Sequence, residues 1–72
     1  MVVNNAEDAG IIAREFLDNI GIPMFIITDI KVEYDEEEDE ETWIVIATTG
    51  KYKFKLLIDP KSEDVLEYSQ IK

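Results

Sequence analysis

The chain contains no cysteine and no histidine among its 72 residues. Without cysteine it has no disulfide and no thiolate ligand for zinc. Without histidine it lacks the commonest metal ligand and the side chain best suited to proton transfer near neutral pH, so Ser62 and Ser69 have no base to activate them. No run of about 18 apolar residues is present, which predicts no membrane-spanning helix. We expect a protein that is not an enzyme and that holds no cofactor and no metal ion.

Cationic side chains are also few. Seven lysines and arginines stand against 17 aspartates and glutamates, which gives a net charge of −10. Binding to nucleic acid or to an anionic membrane surface needs a cationic footprint, so this charge argues against both as partners. The N-terminal stretch carries acids where a secretory signal would carry lysine or arginine. We therefore expect a cytoplasmic protein.

Hydrophobic residues make up 46% of the chain, which is enough for a folded core. A chain of this length forms one small domain, and the core of such a domain is thin. No internal repeat and no linker divides the sequence. We therefore predict a single domain over residues 1–72.

The N-terminal part of the chain predicts one amphipathic helix. Asn4 and Asn5 are suitable N-caps, and acids follow them in the first turn, where negative charge meets the positive end of the helix dipole. Apolar residues then recur at spacings of three and four up to Ile20. Gly21, followed by Pro23, is a stop signal. The predicted helix runs from about Asn5 to Ile20.

The rest of the chain predicts strands. Met24–Tyr34 is rich in isoleucine and then alternates, Thr42–Thr48 and Lys51–Asp59 form a hairpin around Thr49-Gly50, and Val65–Ile71 is a last, weaker strand. All the strands follow the helix, so they need no crossover connection. The predicted fold class is α+β, with one N-terminal helix packed on an antiparallel meander sheet of three or four strands.

The predicted hairpin divides its side chains between two faces. A two-residue turn pairs Val45 with Phe54 and puts Trp43, Tyr52 and Phe54 on the face that the helix covers. The opposite face carries lysines beside apolar residues. This second face is a candidate interaction surface, and its residues are Ile44, Ile46, Lys53, Lys55 and Leu57. Because one helix covers only one side of a sheet, we expect these apolar side chains to meet water.

The last hairpin reads YKFKLLIDPKSEDVLEY. Taken together with the leading helix and the tryptophan that opens the second strand, this hairpin resembles the PepSY family. The positions that fall on the family pattern are Trp43, Val45, Tyr52, Phe54, Leu56, Ile58, Asp59, Val65 and Leu66. The small gas-vesicle accessory proteins of the O type look similar in this region. The resemblance covers roughly Ala6 to Tyr68 and implies an α-β-β-β unit that regulates or inhibits a peptidase. The family's Thr-Gly turn is replaced by residues 62–64, so we expect a different turn there, without the freedom of glycine at positive φ.

Seven consecutive acids separate the first two predicted strands. They form a candidate acidic patch that consists of Asp35, Glu36, Glu37, Glu38, Asp39, Glu40 and Glu41. The alternation of acids resembles the start of a calcium loop, but the glycine and the final glutamate that such a loop needs are missing. The patch would also suit weak binding of divalent cations or imitation of nucleic acid toward a basic protein. We favour a solvated, extended acidic loop over residues 35–41.

The sequence thus predicts a small non-enzymatic protein-interaction module with a regulatory role. Its partner is expected to be another protein or a second copy of the chain, held on the open sheet face or on the edge of the last strand. The alternative is an acidic nucleic-acid mimic or a weak divalent-cation-binding protein that acts through residues 35–41.

Overall fold

The computed structural model describes residues 3–22 and 24–71. In chain order its elements are the helix α1 (Ala6–Asn19) and the strands β1 (Ile26–Asp35), β2 (Glu40–Thr49), β3 (Tyr52–Ile58) and β4 (Val65–Gln70). The four strands form one antiparallel sheet in the order β1-β2-β3-β4. This arrangement confirms the predicted α+β fold with a leading helix and a meander sheet. No helix in the described part of the chain has the length and apolar character that a bilayer crossing requires.

The helix α1 lies within one residue of its predicted bounds at each end. Asn5 is the N-cap, and its Oδ1 accepts the backbone N–H of Asp8 at 2.9 Å. At the other end Gly21 takes φ +83 and donates its N–H to the carbonyl oxygen of Asp18 at 3.1 Å. A left-handed residue after the last turn is a common helix stop. The stop predicted at Pro23 lies outside the described residues.

The β2–β3 hairpin has the predicted faces but a different register. Its turn consists of Gly50 and Lys51, so Val45 pairs with Leu56 and not with Phe54. The prediction of that pairing was wrong by two residues, which leaves every side chain on its predicted face because the side-chain period of a strand is two. Gly50 takes φ +53, a conformation that favours glycine. The turn is therefore placed by the backbone requirement of this one residue.

The hydrophobic core lies between α1 and one face of the sheet. Its fully buried members are Ala9, Ala13, Leu17, Val45, Ala47, Leu56 and Ile58. On β4 the ring of Tyr68 contacts both Phe16 and Phe54, with ring centroids 5.4 and 5.3 Å apart. Burial of a large aliphatic side chain contributes about 1.5–3 kcal/mol, so this single layer is the main source of stability.

Two of the three aromatic residues that were predicted beneath the helix lie at the margin of the core. Phe54 is buried, Trp43 is half-buried, and Tyr52 is 51% exposed. The prediction for Tyr52 was wrong because the shift in register puts this residue next to the turn, opposite Thr49. The indole Nε1–H of Trp43 is buried and has no hydrogen-bond partner among the residues that the structure describes.

The turn between β3 and β4 is built around Asp59. The carboxylate of Asp59 accepts the Lys61 N–H and the Ser62 hydroxyl, both at 3.0 Å. These hydrogen bonds, that of the Lys61 N–H first, lower the pKa of the Asp59 carboxyl. Glu63 takes φ +66 although it is not glycine, so the expectation that this turn lacks a residue at positive φ was wrong. A left-handed residue costs about 1–2 kcal/mol, and the hydrogen bonds that close the turn offset this cost.

Candidate interaction surface

The face of the sheet opposite α1 contains all five residues of the predicted interaction surface. Two rows of directly paired residues cross the four strands on this face. The first row consists of Lys31, Ile44, Leu57 and Glu67. The second row consists of Asp29, Ile46, Lys55 and Ser69. Glu33 opposite Thr42 and Lys53 opposite Thr48 extend the surface at its two ends, and we name the whole surface the open face.

The apolar residues of the open face are less exposed than the sequence predicts. Ile44 is only 3% exposed, and Ile46 and Leu57 are half-buried. Ile44 is not part of the core cluster beneath α1, so neighbours on its own face must cover it. It pairs with Lys31 on one side and with Leu57 on the other, and the long stem of a lysine covers apolar surface while its ammonium group reaches water. The expectation that these side chains meet water was therefore wrong for Ile44.

The open face carries charges of both signs. Its lysines are Lys31, Lys53 and Lys55, and its carboxylates are Asp29, Glu33 and Glu67. These six charges sum to zero, and Asp35 and Glu40, which pair where β1 ends and β2 begins, add two negative charges to the same side of the sheet. Within the described part of the chain, none of these six side chains makes an ion pair or a side-chain hydrogen bond. Most of the negative surplus of the molecule therefore lies outside the open face, and the charged groups on this face are available to a partner.

A bulge in β1 sets the position of Asp29. Thr28 is the extra residue, between the pairs Ile27–Ala47 and Asp29–Ile46. The Thr28 hydroxyl donates to the carbonyl oxygen of Ile46 at 3.4 Å. In a regular strand residues 27 and 29 would share a face, but the bulge lets Ile27 pack in the core while Asp29 joins the open face. Sequence reasoning missed this bulge, for which the spacing of three between the core residues Ile27 and Ile30 was the available signal.

The acidic run is only partly a loop. Asp35 ends β1 and Glu40 and Glu41 begin β2, so the connection consists of residues 36–39 alone. The predicted loop over residues 35–41 is therefore longer than the observed one. Three of the seven acids are held in the sheet, and the run is folded back on itself and not extended.

The side chains of this turn are engaged in closing it. Asp35 Oδ1 accepts the backbone N–H groups of Glu37 at 3.0 Å and of Glu38 at 3.4 Å. Asp39, at φ +53, accepts a hydrogen bond from the hydroxyl of Tyr34. This hydrogen bond is the main reason why the pKa of Tyr34 is raised above its ordinary value. Among the described residues, no three acidic side chains are grouped so that they could hold a metal ion.

A groove connects the acidic turn with the open face. Its volume is about 670 Å³, and Glu33, Lys55 and Leu57 line it together with residues 35–37. A partner that covers the open face would therefore also meet the acidic turn.

No protein-family model, no curated protein and no solved structure matches this chain. The resemblance of residues 6–68 to the PepSY family stays a prediction. The fold and its surface define a small α+β domain whose sheet is covered by a helix on one side and carries an open face with charges of both signs on the other.

Proposed function

We propose that this protein is a small non-enzymatic interaction module that binds a protein partner, either another protein or a second copy of the chain, through the open face of its sheet. The observation that carries the proposal is the four-stranded surface opposite α1, with half-buried Ile46 and Leu57 inside a frame of charged side chains. The four strands are 6–10 residues long and lie about 4.8 Å apart, so the sheet plane measures roughly 19 Å by 20–33 Å and is small beside the roughly 800 Å² per partner of a standard interface.

The chemistry of the open face favours a reversible complex. Interfaces of this kind have an apolar centre and a polar rim, and the rim charges set orientation and association rate more than affinity. Because Ile44 is already buried in the single chain, the centre of the open face adds little further apolar burial to drive permanent assembly. The expected role is regulatory, as the resemblance to PepSY implies, and the expected location is the cytoplasm, as the composition predicts.

A photo-crosslinking amino acid at Lys53 tests the proposal in the cells that make the protein. Lys53 is exposed on the open face, and Glu15 is an equally exposed site on α1, on the other side of the sheet. We expect the Lys53 probe to yield one defined adduct that the Glu15 probe does not yield. Equal adducts from both probes, or no adduct from Lys53, would contradict a binding role for the open face.

Replacement of residues 36–40 by glycine and serine separates this function from the alternative that depends on the acidic run. Because those residues lie at one end of the open face, we expect the Lys53 adduct to persist in this variant. If the adduct is lost while the fold is retained by circular dichroism, the function belongs to the acidic run and not to the open face.

A further inference from the structure

We infer that the partner of the open face is a second copy of this chain, packed face to face about a two-fold axis. The inference rests on the proposed function and adds the identity of the partner. Two copies that each carry −10 repel one another in most orientations. The two rows that cross the open face carry no net charge, so two copies that meet through these rows approach without repulsion between them.

The first row of the open face is complementary to itself. Lys31 lies at its β1 end and Glu67 at its β4 end, with Ile44 and Leu57 between them. A two-fold axis parallel to the strands and midway between β2 and β3 exchanges the two ends of the row in the opposing copy. Lys31 then faces Glu67 of the second copy, and Ile44 faces Leu57 of the second copy. Each of these contacts occurs twice, as in any isologous interface.

The second row fits the same axis. Asp29 of the second copy comes to lie over Ser69, which is the direct neighbour of Lys55. Cross-strand neighbours lie about 5 Å apart, a distance that a lysine side chain spans. Lys55 therefore reaches Asp29 of the second copy, again twice. The axis also keeps the strands of the two copies nearly aligned, which is the usual arrangement of sheets that pack about 10 Å apart.

The dimer is expected to be weak. The area of the sheet is small for a stable interface, and even complexes of standard size range from micromolar to picomolar dissociation constants. The charged rim must lose water on association, and Ile44 contributes little because it is buried beforehand. We therefore place the dissociation constant at roughly the micromolar end of that range.

Analytical ultracentrifugation of the full chain, from about 1 µM to about 1 mM, brackets a dissociation constant in this range. A salt concentration of about 150 mM screens the distant acids of the two copies, since the Debye length is then about 8 Å. Lys31→Glu turns two attractive contacts into two repulsive ones and is expected to weaken the dimer by roughly 10- to 30-fold. Lys31→Glu combined with Glu67→Lys recreates the pairs with exchanged signs and is expected to restore the dimer to within about threefold.

Arg14→Glu is the matched control, because it makes the same charge change at an exposed residue of α1, on the other side of the sheet from the open face. We expect it to alter dimerisation by less than about threefold. A wild-type chain that stays monomeric at the highest concentration overturns the inference, and so does a double variant no better than Lys31→Glu. If Lys53 probes then capture a different protein, the proposed function stands without the dimer. If the Lys53 probes capture no protein at all, both the dimer and the proposed function are contradicted. Thermal melts of each variant verify that the fold is retained.

Discussion

Replacement of Gly10 by alanine is expected to stabilise the fold by about 1 kcal/mol. Gly10 is buried within α1, where glycine is less favourable than alanine by about 0.5–1 kcal/mol. A Cβ at this position would meet Ile30 Cδ1 at 3.4 Å and Ile27 Cδ1 at 4.0 Å. Both atoms are the far ends of flexible side chains, so the added methyl fills space at ordinary contact distance. Burial of one such group contributes up to about 0.8 kcal/mol, from which a small adjustment of Ile30 is subtracted.

Thermal unfolding followed by circular dichroism measures this gain. For a domain of this size about 1 kcal/mol corresponds to a rise in Tm of about 4–8 °C. Gly10→Val is the matched control, because a β-branched side chain adds bulk where the nearest atom is already at 3.4 Å and also lowers helix propensity. We expect the valine variant to melt below the alanine variant. An alanine variant that melts below the wild type would refute the spacing between α1 and β1.

Two further predictions concern strained and charged turns. Met24 takes φ +49 and is 93% exposed. Met24→Gly removes the conformational cost of the left-handed residue, about 1–2 kcal/mol. The same change makes the unfolded chain more flexible, which lowers the free energy of unfolding by about 0.4–1 kcal/mol. In urea unfolding we expect the free energy of unfolding to rise by about 0.5–1 kcal/mol. Met24→Ala keeps the Cβ and is expected to give no rise. Equal effects of the two changes would contradict the strain at Met24. The pKa of Asp59 is lower in the folded than in the unfolded chain, because the Lys61 N–H and the Ser62 hydroxyl bond its carboxylate. Its contribution to stability is therefore complete above about pH 4 and is lost as the pH falls through the folded-state pKa. Melts between about pH 5 and pH 2 should show a shallower loss of Tm for Asp59→Asn than for the wild type, and identical slopes would contradict this assignment.

The helix α1 shows what short-range sequence signals determine. Its N-cap at Asn5, its acidic first turn and its stop at Gly21 each act within a few residues, and the observed bounds agree with the predicted ones to within one residue. The faces of the β2–β3 hairpin were equally predictable, because a slip of one residue would have turned Lys53 and Lys55 toward the core. The strand order followed from the short connections of a meander.

The register of the same hairpin was not predictable from the hydrophobic pattern. A shift of two residues leaves every side chain on its face, so Val45 fits opposite Phe54 or Leu56 equally well by that criterion. The choice depended on the backbone at Gly50, which takes φ +53 in the turn. The bulge at Thr28 is a second case, since one extra residue there puts Ile27 and Asp29 on opposite faces of the sheet.

The candidate surface was predicted in its membership but not in its exposure. The alternation of side chains along each strand placed Ile44, Ile46 and Leu57 on one face, and the structure agrees. That Ile44 is buried on this face depends on neighbours contributed by β1 and β3, which lie far from one another in the chain. The row that joins Lys31 to Glu67 likewise exists only in the assembled four-stranded sheet.

The sequence by itself therefore determined the helix, the kind and order of the strands and the face of most side chains in the central hairpin, because these depend on periodicity and on capping signals within a few residues. The tertiary structure decided the pairing register, the bulge and the charge-balanced rows of the open face. These depend on how strands that are distant in the chain align with one another, and a pattern with a period of two residues carries no information about that alignment.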